Sequence, residues 1–329
     1  MLSLLSGSLE CAIMSINYPV YAPSAAGGLT WSHVQMIHPV KFDKPYLVMG
    51  YDWERCGREG DPPHKIQGDR QLAQKGLSIV SQAHQEYDAP FTLFVLGKML
   101  EIPELCTSLL EELESQHLRS IIDVQGHAYS HRPFKKSLQG NNPLGSDEIR
   151  HELVTTRSLV KEKLGYATIG LRTPLGTYRG LQGEEDTLRI LTELGFAFVS
   201  SDLRNENDLF PSPWYDEDGA FRQPYFYDQD KYPNLLEIPT QGWTDNALKG
   251  QSRTTKVKVH TLHQELDIHL EHLDFALENK LAYTPLCHPW AVATNDDDGF
   301  VIRGMLDYAV EKDIRVVSYK QLYELVFTS

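Results

Sequence analysis

His127 and His131 stand four residues apart in Gly126-His127-Ala128-Tyr129-Ser130-His131, directly after the apolar run Ser120-Ile121-Ile122-Asp123-Val124. Imidazoles at i and i+4 on one turn of helix have Cβ atoms roughly 5–6 Å apart and can share one metal ion. In a chain with thirteen histidines the pair could equally be two unrelated surface residues. The company it keeps decides between these readings. Asp52 and Glu54, His127 and His131, Arg172, Asp202, and His288 each follow a separate short apolar run. Polar groups that end strands are individually unremarkable, because strands must end. A set this ordered is expected to converge on one site.

The elements that must position these groups alternate along the chain. Apolar strands are expected at Pro45–Tyr51, Phe91–Leu96, Ser120–Val124, Ile169–Arg172, Phe196–Ser200, Leu235–Pro239, Tyr283–Cys287 and Ile314–Ser318. Helical periodicity runs at about 71–87, 103–116, 146–164, 184–194, 260–279, 301–312 and 319–327. Pro103 suits a first helical position, Ser146 an N-cap, and Gly165 and Gly195 the residues after helix ends. Alternation of this kind predicts a parallel sheet. At this length it predicts a single distorted (β/α) barrel of seven or eight strands over residues 45–329, with an open doubly wound sheet as runner-up. Residues 1–44 are expected to form an irregular arm, and Met14 offers a second start. The irregular stretch 203–234 has the length of a functional loop or lid. In a barrel the strand C-terminal ends build the active site, which is where all seven polar groups fall.

Composition narrows the partners. Forty-five acidic against 31 basic residues give a net charge of −14, which disfavours nucleic acid and anionic membranes. No apolar run is long enough to span a bilayer. The N-terminus lacks a basic segment before its short apolar stretch, so no signal peptide is expected. Four cysteines without a CxxC pair suggest reduced thiols and a cytoplasmic location. No glycine-rich phosphate loop indicates a nucleotide.

Taken in order, the motifs resemble the polysaccharide deacetylase family, also called the NodB-homology or carbohydrate esterase 4 family. Asp52-Trp53-Glu54 stands where the family has paired aspartates. Ala89-Pro90-Phe91-Thr92-Leu93-Phe94-Val95-Leu96-Gly97 is similar to its second-strand pattern, and His127-Ala128-Tyr129-Ser130-His131 to its two-histidine motif. Leu171-Arg172-Thr173-Pro174, Thr192–Phe196 leading to Ser200-Ser201-Asp202, and Leu286-Cys287-His288-Pro289 resemble the remaining motifs. The resemblance spans about Pro45 to Phe327. It implies a NodB-like barrel and a metal-dependent hydrolase that removes acetyl, usually N-acetyl, groups from carbohydrate.

Two histidines and one carboxylate leave a coordination position open on a zinc-like divalent ion, the arrangement of a catalytic site. Such an ion lowers the pKa of bound water and polarises a carbonyl. The resemblance then implies Glu54, His127 and His131 as metal ligands, with Asp52 as general base. Asp52 and Glu54 lie two apart and can face the same way in an extended segment, so the two could exchange roles. Arg172 would keep Asp52 ionised, His288 would protonate the leaving amine, and Asp202 would orient His288. The acid-x-acid spacing and Ala128, where the family has Ser or Thr, are departures from the pattern. They keep open a metal-independent, allantoinase-like hydrolase of ureide or imide bonds. A carbohydrate-binding barrel without activity would lack a base or an acid, and candidates for both are present.

Other groups invite blander readings. Trp214, Trp243 and Trp290 serve equally as walls of the mouth or as core. His260, His263, His269 and His272 are expected on a solvated helix face. Asp296-Asp297-Asp298-Gly299 lacks the alternation of a calcium loop and reads as an acidic loop before a helix.

Overall fold

The computed structural model describes residues 38–217, 219–252, 255 and 257–328. Residues 1–37 of the expected arm lie outside them. Residues 38–44 are irregular and join the barrel through the Val40 N–H, which donates to the Pro224 carbonyl at 2.7 Å.

The strand pattern of the first apolar run organises the molecule. β1 (Tyr46–Val48) and β2 (Gly50–Trp53) are two parts of one extended stretch. Side chains alternate sides along it. Leu47, Met49, Tyr51 and Trp53 pack outward among the helices, whereas Tyr46 and Val48 belong to an inner core with Phe94, Phe198 and Tyr319. The same alternation carries Gly50 and Asp52 to the inner side, and Glu54 beyond them. β3 (Phe91–Val95), β4 (Ile122–Gly126), β5 (Gly170–Thr177) and β6 (Phe198–Asp202) follow in space as in sequence, all parallel. β7 (Tyr225–Phe226) turns back antiparallel to β8 (Leu236–Glu237), which itself pairs parallel with β6. β9 (Ala282–Tyr283) and β10 (Leu286–Cys287) lie along the other edge of β1 and β2. β11 (Arg315–Val317) pairs with β1. The order is β10-β2-β3-β4-β5-β6-β8-β7, with β11-β1-β9 beneath. This is a curled, distorted (β/α) barrel, not the open doubly wound sheet.

Helices cover the outside: α1 (Pro63–Glu86), α2 (Pro103–Glu112), α3 (Gln116–Ile121), α4 (Ser146–Leu159), α5 (Glu185–Glu193), α6 (Asp245–Leu248), α7 (Leu262–Asn279), α8 (Pro289–Asn295), α9 (Phe300–Glu311) and α10 (Tyr319–Val326). α1 starts eight residues before the apolar periodicity does, because Pro63 supplies the first turn's fixed φ and lacks the N–H that would be unpaired there. The single helix expected at 103–116 is two, α2 and α3. Ser115 caps the second, accepting from the Leu118 N–H at 3.2 Å. Gly145, not Ser146, is the N-cap of α4. Its N–H donates to Glu148 at 3.0 Å.

His269 and His272 correct an expectation. They are buried on the inner face of α7, at 1 % and 4 % exposure, not on a solvated face. His269 Nδ1 meets the Tyr283 hydroxyl at 2.7 Å, and Trp214 Nε1 donates to His272 Nδ1 at 2.8 Å. Burial pushes the two histidines down to about 3 and about 4, so they pack as neutral aromatic rings. Trp214 is therefore core. The acidic segment at 296–298 caps α9, with Asp296 accepting from the Phe300 and Val301 N–H groups at 2.6 and 3.0 Å.

Candidate active site

Six of the seven strand-end groups, all but Asp202, meet at the strand C-terminal ends. The two histidines come on a loop, not on a helical turn. Ala128 and His131 take φ of 57° and 63°, which breaks the helix yet still folds both rings toward one point, 5.1 Å apart between centroids. The loop is clamped from both sides. The His127 N–H donates to the Val95 carbonyl at 2.8 Å, and the Gly97 N–H to the Ala128 carbonyl at 2.8 Å. Below it, the buried Glu152 of α4 accepts from the Tyr129 and Ser130 N–H groups at 2.7 Å each and from the Ser130 hydroxyl at 2.5 Å. Ser130 thus supplies a hydroxyl anchor for a loop whose position 128 is alanine.

Glu54 lies between the rings. Its Oε2 is 2.5 Å from His131 Nε2 and 3.3 Å from His127 Nε2. Asp52 Oδ2 stands farther off, 3.8 Å from His127 Nε2. Among the described residues, Glu54, His127 and His131 form a group whose ligand atoms lie within 4.8 Å of one another. The donor set suits a divalent ion. His127 Nδ1 donates to the Arg172 carbonyl at 2.9 Å, which leaves the Nε2 lone pair for coordination. Burial pushes the Glu54 carboxyl up, but the charge of His131 and hydrogen bonds from both histidines outweigh it and hold it well below the usual range. The carboxylate is thus in its ligating form.

Arg172 lies wholly buried as the third residue of β5, where the register with β6 begins to shift. Nη1 faces Asp52 Oδ1 at 3.8 Å, beyond hydrogen-bond reach. Among the described residues neither atom has a hydrogen-bond partner. The opposite wall holds His288, whose Nε2 is 3.9 Å from Glu54 Oε1. Trp290 packs beside it at 5.4 Å between ring centroids, and Arg55 lies over Trp290 at 4.1 Å. Trp290 is thus a wall of the site, while Trp243 is only half-buried.

Asp202 is not the partner of His288. Its carboxylate is bound by the Arg222 guanidinium and accepts the Arg179 N–H at 2.7 Å. Both residues of that ion pair are fully buried, and the pair anchors the irregular stretch after β6 to the sheet. The carboxylate at His288 is Asp245, the first residue of α6. Oδ1 meets His288 Nδ1 at 2.7 Å and Oδ2 accepts the His288 backbone N–H at 2.7 Å. Despite burial, Asp245 raises His288 to about 9, with Glu54 and Asp52 adding to the effect. Asp245 was missed because it follows no apolar strand. Its sequence signal was an N-terminal acidic residue after Thr244, in a segment with no helical period. Glu152 had a clearer signal: a carboxylate within the apolar stripe Ile149, Leu153 and Thr156 of α4.

The arrangement is a parallel barrel with a two-histidine, one-carboxylate cluster at its mouth, flanked by an arginine-faced aspartate and an aspartate-held histidine. The sequence profile of the polysaccharide deacetylase family matches residues 75–199. No curated protein matches the sequence. Among solved structures, a protein described as a polysaccharide deacetylase from Mycobacterium smegmatis superposes with a TM-score of 0.63 at 19 % identity, over 88 % of this chain and 93 % of that one. Puue allantoinase superposes with a TM-score of 0.60 at 12 % identity, over 85 % and 89 %. At these identities the likeness establishes a shared fold.

Proposed function

We propose that this protein is a metal-dependent hydrolase that removes acetyl groups, as N-acetyl, from a carbohydrate. The observation that carries the reading is the convergence of Glu54, His127 and His131 on one point, 3.9 Å across from a histidine held by Asp245. Glu54, His127 and His131 would hold the ion, most simply Zn2+. Its 2.5 and 3.3 Å approaches favour Glu54 over Asp52 as the carboxylate ligand. When bound, the ion supplies Lewis acidity and a water of lowered pKa.

The chain's own groups do the remaining work. Asp52, facing Arg172, accepts a proton from the attacking water as its oxygen bonds to the acetyl carbon. The guanidinium faces that carboxylate from 3.8 Å and orients it. The C–N bond then breaks, and His288 Nε2 donates its proton to the departing amine nitrogen. Asp245 holds the other ring nitrogen, so the donating face is fixed toward the mouth. Trp290 gives the site an apolar wall. Acetate and a free amino sugar leave.

The test joins elemental analysis of the purified protein to acetate release from N-acetylglucosamine oligomers, with and without chelator. Stoichiometric metal, with activity lost on chelation and restored by Zn2+, is expected. Activity that survives complete metal removal overturns the reading. Hydrolysis of allantoin by the metal-free protein would then identify the ureide alternative, whose fold is shared.

A further inference from the structure

Arg172 reaches the site from a box of aromatic rings, and the C-terminal helix builds one side of it. The guanidinium lies 4.6 Å over the Phe94 ring and 5.2 Å from the Tyr319 ring, and Nη2 donates to the Tyr319 hydroxyl at 2.7 Å. Tyr319 is fully buried in the barrel interior, edge-on to Phe94 at 5.0 Å and stacked on Phe198 at 6.4 Å. Gly50 makes the space. A Cβ there would stand 2.4 Å from Tyr319 and 3.2 Å from both Arg172 and Phe94. Among the described residues, Arg172 Nε and Nη1 have no hydrogen-bond partner. Among those residues the phenol is therefore the polar side chain that fixes the plane of the guanidinium by a hydrogen bond.

Tyr319 is itself held in place. It is the first residue of α10, and its N–H donates to the Thr92 hydroxyl at 2.9 Å. That hydroxyl donates to Asp123 at 2.9 Å, and Asp123 also receives the Lys320 N–H at 3.4 Å. A carboxylate at a helix N-terminus is stabilising. Two inward residues of β3 and β4 thus pin the end of α10 beneath the site. Ser318 closes its capping box with Gln321.

We propose that Tyr319 is a positioning residue for the reaction: it holds Arg172 so that Nη1 faces Asp52, making the last helix of the chain part of the active site. The inference rests on the role given above to Arg172, and its test separates the two.

Tyr319→Phe keeps the ring packing and removes only the acceptor. Acetate release should show kcat down by about ten- to a hundredfold, as for a misplaced catalytic group, with KM and metal content unchanged and the melting temperature lowered, because the buried Nη2 loses its acceptor. Adding Tyr319→Phe to Arg172→Met should cost nothing further, because both act through one guanidinium. An unchanged kcat in Tyr319→Phe, beside a large loss in Arg172→Met, overturns this inference alone. An unchanged kcat in Arg172→Met removes the role of Arg172 as well. Independently of activity, the Arg172 guanidinium N–H resonances should be sharp in wild type and averaged by rotation in Tyr319→Phe. Identical signals in the two proteins overturn the proposal.

Discussion

His288 Nδ1 lies 2.7 Å from Asp245 Oδ1, and the same carboxylate accepts the His288 backbone N–H at 2.7 Å. One side chain thus fixes both the ring and the strand end that carries it. Asp245→Asn keeps the shape but withdraws the charge. It should lower kcat by about 10²–10⁴-fold, the range for a positioned proton donor, with metal content unchanged. Full activity in the variant would remove Asp245 from the mechanism.

Asp202→Asn should behave differently. It leaves Arg222 charged and without its partner in the interior, and breaking a buried pair costs about 3–5 kcal/mol. Chemical denaturation is the measurement. A stability loss that outweighs any fall in kcat is expected. A large kcat loss at unchanged stability would restore the catalytic role expected for Asp202.

Glu152→Gln should loosen the histidine loop, because its carboxylate receives three hydrogen bonds from Tyr129 and Ser130. Metal affinity should fall by about 10–100-fold, as when groups behind a ligand are changed. Direct removal, in His127→Ala with His131→Ala, should abolish stoichiometric metal. Competition with a chelating dye reads both: wild-type affinity in Glu152→Gln would remove its supporting role, and in the double variant would reassign the ligands.

Gly50→Ala tests the barrel interior. The new methyl would stand 2.4 Å from Tyr319, a distance no Cβ tolerates, and a tight 3.2 Å from Arg172. Overpacking of this kind costs about 1–3 kcal/mol. Stability and kcat should fall together. A variant as stable and active as wild type would mean that the box around Arg172 is loose.

The buried His272 should make stability pH-dependent. Its pKa is lowered by burial from 6.5 to about 4. The neutral form therefore favours folding above pH 6.5, and the benefit is lost as pH falls toward 4. Glu237 and Glu265, pushed up by burial to about 7, act in the opposite direction. The readout is thus the difference between wild type and His272→Gln. Between pH 7.5 and 5 that difference should shift by about 2 kcal/mol against wild type, from linkage at 1.36 kcal/mol per pKa unit. A difference independent of pH would mean that folding leaves the His272 pKa unchanged.

Local rules made much of the barrel legible in the chain before any tertiary contact is considered. The apolar run Pro45–Tyr51 marked a buried strand, and the two-residue spacing of Asp52 and Glu54 let both carboxylates be read on one side. Short apolar runs between helical stretches specified a parallel barrel, and strand ends marked Arg172 and His288. The geometry of the histidine pair was not local in this sense. Its spacing suited a helical turn, but left-handed residues at Ala128 and His131 and a carboxylate from α4 shape a loop instead. Tertiary structure alone decided the pairing of charges. Asp202 and Asp245 are both buried aspartates, and only the closing of the barrel brings Arg222 to one and His288 to the other. The same closure turned His269 and His272 inward. A helix face becomes a core face only when Trp214 and Tyr283 arrive to cover it, and neither is within hydrogen-bonding reach along the helix.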